Sequence, residues 1–140
     1  NNYWIMNYLW IDLWDKRSWL AYNVWNIIFS LDYVQRLDFY KTIKKIVLEK
    51  NIETIVVGLP YDLYDKDHKQ LNKTLKVIER LKEVFPDLII DSIDERFTTF
   101  QSYDILSSMN LSKSEMLQKK DSMSAYLILE SYMNKKIKDL

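Results

Sequence analysis

Glycine is almost missing from this sequence. It occurs once in 140 residues, as Gly58, where ordinary usage of about 7% would supply roughly ten. Most α/β domains use glycine at turns and at close backbone approaches. Cysteine is absent, which excludes disulfides, thiolate metal sites and a cysteine nucleophile and fits a reducing, cytoplasmic setting. Proline occurs twice and histidine once, as His68, and no Pro/Gly/Ser-rich linker, repeat or low-complexity tract is present. An excess of charge is missing too. The 20 Lys and Arg balance the 20 Asp and Glu, so a polyanionic partner would have to be met by a local patch. No run approaches the roughly 20 apolar residues of a membrane span. The most apolar stretch, 3–14, carries Asp12 and lacks the basic start and cleavage site of a signal peptide.

What is present is a hydrophobic content of 48%, enough for a sizeable core in one domain. All five tryptophans fall between residues 4 and 25: Trp4, Trp10, Trp14, Trp19 and Trp25. Residues 8–13, 18–24 and 26–34 read as three hairpin-linked strands. Residues 37–50 switch to a helical period, with Phe39, Ile43, Ile46 and Val47 on one face. The apolar run 54–60 has the look of a buried parallel strand. A second amphipathic helix follows over 68–85, with Leu71, Leu75, Ile78, Leu81 and Phe85 as its expected core stripe. His68, at its start, is expected to face solvent. Residues 88–94 read as a fifth strand, 98–109 as a helix, 110–120 as a lysine-bearing loop, and 122 onward as a last helix capped by Asp121 or Ser122. Three hairpin strands followed by two that arrive through helical crossovers make a mixed five-stranded sheet flanked by helices. This α/β pattern matches the ribonuclease H-like fold, with expected strand order 3-2-1-4-5.

Ligands of such sheets gather at the carboxyl ends of the strands, near the topological switch point. Asp12, Asp94, Glu95 and Asp121 are placed to converge there. Clustered carboxylates repel, and they persist most easily around hard divalent cations such as Mg²⁺ or Mn²⁺. Two such ions can clamp the attacking and leaving oxygens of a phosphodiester. From spacing alone these acids could equally be caps and surface charges.

The motifs carry more. LWIDLWDKRSWLAY (9–22) resembles the L-G-I-D-x-G-x-K-R-x-G-x-A signature of the YqgF family of resolvase-like nucleases. IVVGLPYDLYDKD (55–67) is similar to its V-V-G-L-P loop, IDERFTTFQS (93–102) to its D-E-R-x-T motif, and KKDSMSAYLILESYM (119–133) to its final D-x-x-A-A-x-x-I-L helix, with Ser124 for the first alanine. All four occur in the family's order.

The resemblance implies a ribonuclease H-like nuclease over residues 6–140 that matures the 5′ end of precursor 16S ribosomal RNA. It also permits a Holliday-junction resolvase, which would be a dimer where the first reading allows a monomer or a homodimer. A noncatalytic nucleic-acid or ribosome-assembly module keeping the same fold is a third reading. Asp12, Glu95 and Asp121 are the expected catalytic metal ligands, holding a pair of Mg²⁺ (or Mn²⁺) ions, with Asp94 the alternative to Glu95. Lys16, Arg17, Arg96, Lys113, Lys119 and Lys120 are the expected nucleic-acid contacts. Tyr61 and Tyr64 are loop aromatics that could stack on unpaired bases or pack on the following helix. Gly58 and Pro60 are expected to shape a loop at the sheet edge.

The signature has glycine where this chain has Trp10, Trp14 and Trp19. Codons read as glycine in some bacteria and as tryptophan in others would produce this pattern, making Met6 the start and residues 1–5 an upstream segment. Position 14 is expected to need a close backbone approach or a positive φ, which tryptophan resists, so Trp14 is expected to crowd the metal site.

Overall fold

Tyr8–Leu13 (β1) is the central strand of the sheet, buried almost from end to end. The structure, a computed structural model, describes residues 6–14, 16–24, 27–31, 33–60 and 68–94. β1 pairs antiparallel with Arg17–Val24 (β2), which carries Ile27–Ser30 (β3) and the two-residue Val34–Gln35 (β4) along its outer side. On its other side β1 pairs parallel with Thr54–Leu59 (β5), and β5 with Ile89–Asp94 (β6). A turn of 3-10 helix, Arg36–Asp38, leads into helix α1, Phe39–Glu49, and helix α2 spans Lys69–Val84. The main path β3-β2-β1-β5-β6 is the order expected from the sequence.

Period-two alternation divides the sheet into two faces. Leu9, Ile11, Leu20, Tyr22, Ile55 and Val57 point toward α1 and α2, where Phe39, Ile43, Ile46, Ile78 and Leu81 close over them. Tyr8, Trp10, Trp19, Ala21 and Val56 form a second cluster on the opposite face, with Met6, Ile28 and Ile93 packed against it. β5 is apolar on both faces, as a parallel strand covered on each side must be.

Two elements differ from expectation. The third strand is not continuous over 26–34. Between the pairs Ala21↔Ser30 and Ser18↔Val34, β2 advances three residues while its partner advances four. One residue on the outer strand is in excess, which defines a β-bulge. Its physical reason is visible in the core: Leu31 and Val34 both pack on the helix-side cluster, and a regular strand would send residues three apart to opposite faces. In α2 the buried stripe is Thr74, Ile78 and Leu81, whereas Leu75 is 44% exposed. Thr74 tolerates burial because its hydroxyl donates to the Gln70 carbonyl at 2.9 Å, which removes the cost of an unpaired polar group.

Side-chain amides fasten the entry to β1. Asn23 is buried; its Oδ1 accepts from the Tyr8 amide at 2.7 Å and its Nδ2 donates to the Met6 carbonyl at 2.9 Å. Asn7 Nδ2 donates to the Lys50 carbonyl at 2.8 Å, tying the end of α1 to the same point. Gly58 lies inside β5 rather than in a loop and has no positive φ. Among the described residues only Asn51 and His68 have positive φ, and no helix is long and apolar enough to cross a membrane.

Candidate functional site

Asp12 is the penultimate residue of β1 and is only 2% exposed. It lies at the carboxyl end of the central strand, where pairing switches from antiparallel on the β2 side to parallel on the β5 side. This is the switch point at which open α/β sheets bind ligands. The carboxyl ends of β5 and β6 lie at the same edge because both run parallel to β1.

Asp12 shares the face of Tyr8 and Trp10, away from α1 and α2. Its cross-strand partner on β2 is Trp19. The pair Ile11↔Val57 puts Gly58 beside Asp12 one step further along, and Gly58 in turn faces Ile93 on β6. On that row the residue next to the carboxylate therefore has no side chain. A Cβ substituent there would occupy the space beside Asp12, so the single glycine serves proximity and not backbone freedom.

Arg17 begins β2 on the same face as Trp19, two residues along. Its guanidinium lies 5.1 Å from the centre of the Tyr33 ring, a cation–π distance, and Tyr33 meets Trp19 edge-on with centroids 5.6 Å apart. Trp19 and Tyr33 thus link Asp12 to an exposed arginine. Nothing in the sequence marked Tyr33 for this position; the bulge that places it is a register feature with no local signature. Lys16 is exposed on the turn, and its carbonyl accepts from the Arg36 amide at 3.2 Å.

Asp94, the alternative ligand, ends β6 opposite Leu59. Ile90 packs on the helix-side cluster and Ile93 on the other, so alternation sets Asp94 on the helix side, the face opposite Asp12. Glu95, Arg96, Lys113, Lys119, Lys120 and Asp121 lie outside the described residues, as do Tyr61, Tyr64, Trp4 and Trp25 and the expected helices after residue 95. Among the described residues no group of three His, Cys, Asp or Glu side chains is placed to hold a metal. His68 is exposed at the start of α2, as expected.

The expectation for Trp14 is corrected. It has no positive φ, its amide donates to the Arg17 carbonyl at 3.1 Å across the hairpin turn, and it is 50% exposed. Its side chain lines a cleft with Leu13, Phe39 and Tyr40 on the helix side, so it does not crowd Asp12. Among the described residues, the tryptophans on Asp12's face are Trp10, fully buried, and Trp19.

A mixed sheet in this order, with a buried aspartate at the switch point beside a bare glycine, defines a ribonuclease H-like architecture. The family model of RuvX, a Holliday junction resolvase, matches residues 11–135, and the chain belongs to that family. A relative from Fusobacterium nucleatum is 32% identical over 136 residues, covering 92% of this chain and 97% of its own length. One from Dictyoglomus turgidum is 32% identical over 112 residues, 80% of this chain and 74% of its own, and one from Karelsulcia muelleri 32% over 131 residues. All three carry the provisional name pre-16S rRNA nuclease. Among solved structures, YeaZ from Pseudomonas aeruginosa superimposes with a TM-score of 0.47 at 10% identity, covering 73% of this chain and 49% of its own, too distant to add to the assignment.

Proposed function

We propose that this chain is a cytoplasmic, Mg²⁺-dependent nuclease that hydrolyses phosphodiesters in the 5′-end maturation of precursor 16S rRNA. The observation that carries the reading is the buried Asp12 carboxylate at the switch point, with Gly58 leaving room beside it. The names of the relatives supply the substrate.

Asp12, Glu95 and Asp121 would hold the metal. Asp94 is the weaker candidate because strand alternation turns it to the other face. A bound divalent ion supplies charge stabilisation at the phosphoryl oxygens and lowers the pKa of a bound water. The chain's own part is to hold one carboxylate rigidly on a central strand, to keep Trp10 and Trp19 packed around it as a dry wall, and to present Arg17 to a phosphate oxygen from the same face.

Asp12→Asn keeps the shape of the side chain and removes its charge. It is expected to abolish Mg²⁺-dependent cleavage of a precursor-16S fragment while leaving the thermal melt cooperative; undiminished cleavage removes Asp12 from the mechanism. The family's description favours a second reading, resolution of four-way DNA junctions. Sedimentation with a junction, run beside the rRNA fragment, separates the two, since two symmetric cuts call for a dimer on the junction.

A further inference from the structure

On the side of the sheet away from Asp12, a cleft of about 420 Å³ opens between the start of α1 and the first half of α2, at the carboxyl end of β1. That volume falls within the range of about 300–1,000 Å³ usual for ligand sites. Its rim carries Arg36, Lys73 and Lys76, and among its described lining residues there is no carboxylate. In a chain of zero net charge this is a concentration of one sign. Two aromatic side chains share the rim, Trp14 at 50% exposure and Tyr40 at 37%. Gln70, which also lines it, donates from Nε2 to the Leu13 carbonyl at 3.3 Å and fastens α2 to the end of β1.

Flat aromatic faces beside cations match two parts of a nucleotide: rings to stack on and charge for its phosphate. The cleft also stands at the right place. Trp14 is two residues beyond Asp12, about 7 Å of extended strand, so a polynucleotide lying at Asp12 reaches the cleft by crossing the edge of the sheet. Resting on the reading of the chain as a nuclease, we propose that the α1–α2 cleft binds an unpaired nucleotide of the substrate strand next to the point of cleavage. Tyr40 stacks on the base, and Arg36 and Lys76 hold the flanking phosphates. The enzyme would then select a paired element bearing a single-stranded extension, a requirement that the carboxylate centre alone does not impose.

The test is binding without cleavage. A fluorescein-labelled RNA hairpin with a ten-nucleotide single-stranded tail, and the same hairpin blunt, are titrated by anisotropy in EDTA. The chain is expected to bind the tailed probe at least tenfold more tightly. Arg36→Gln/Lys76→Gln should erase that preference and flatten the slope of log K against log salt by about 1.4, as expected for two lost single-strand phosphate contacts. Tyr40→Leu, which keeps apolar bulk, should weaken the tailed probe about fivefold or more with the salt slope unchanged. Unaltered melting curves confirm folding. Equal affinity for the two probes, or a double variant that binds the tailed probe like the parent, overturns the proposal. So does displacement of the probe by micromolar AMP, which would make the cleft a site for free mononucleotides. Because cleavage plays no part, a cleft that passes while Asp12→Asn still cuts would remove the catalytic assignment and leave the binding site standing.

Discussion

At the scale of single residues, position along β1 decides role. Asp12 and Leu13 are neighbours, yet strand alternation sends one to the tryptophan face and the other to the helix face. The motif around Asp12 singled it out in the sequence, and its burial near the end of the central strand is what the structure adds. The direction of Trp14 was not legible, because a residue just past a strand end follows the hairpin's hydrogen bonding and not the strand's alternation. Tyr40 shows how burial and charge compete. Desolvation raises its phenol above the ordinary value of 10.0, and the charges of Arg80 and Arg36 pull it partly back. Tyr40 is therefore expected to ionise later than an exposed tyrosine on alkaline titration. Subtracting the ultraviolet titration of Tyr40→Phe from that of the parent isolates it, and a difference curve with its midpoint below 10 would contradict this. The sign for stability follows. A folded pKa raised above the unfolded value leaves stability intact below about pH 10 and removes it as the pH climbs through the folded value.

At the scale of elements, the helices and strands follow from periodicity, and the errors lie where two periods fit equally well. In α2 the set Leu71, Leu75, Ile78, Leu81 satisfies helical spacing as well as Thr74, Ile78, Leu81 does. A hydrophobic count prefers leucine to threonine, and only the back-bonded hydroxyl of Thr74 shows why the second stripe wins. Leu81→Ala, which empties a fully buried position, is expected to cost about 2–5 kcal/mol. Leu75→Ala should cost less than about 1 kcal/mol, the usual scale for an exposed site away from special features. Denaturant melts of the two variants check the stripe directly, and equal costs would argue against it. Asn23 likewise gave no signal in the sequence. Asn23→Leu leaves the Tyr8 amide and the Met6 carbonyl without their partner, and a loss of about 1–3 kcal/mol is expected, with earliest hydrogen exchange at residues 6–8.

At the scale of the whole molecule, the order of elements was enough to give the strand order, since hairpins and helical crossovers leave few arrangements of five strands. The proposed carboxylate centre rests on the motifs, because its members come from distant segments and two of them, Glu95 and Asp121, fall outside the described residues. The glycine deficit reads differently against the fold. No positive φ occurs at positions 10, 14 or 19, so conformation does not demand glycine there; the motif pattern alone does. Intact-mass analysis of the protein from its native organism decides the matter: glycine at these three positions would establish the decoding account and take Trp10, Trp14 and Trp19 out of the roles given them above, and tryptophan would end it. The bulge on the outer strand has a further consequence for how copies of the chain meet. An uninterrupted edge bearing Ile27 and Phe29 would be a template on which another molecule could zip its own backbone. Split, among the described residues, into pieces of four and two, the border offers only short ladders on which to hold a foreign strand in register. The same extra residue that turns Leu31 and Val34 inward acts as a guard against fibre growth.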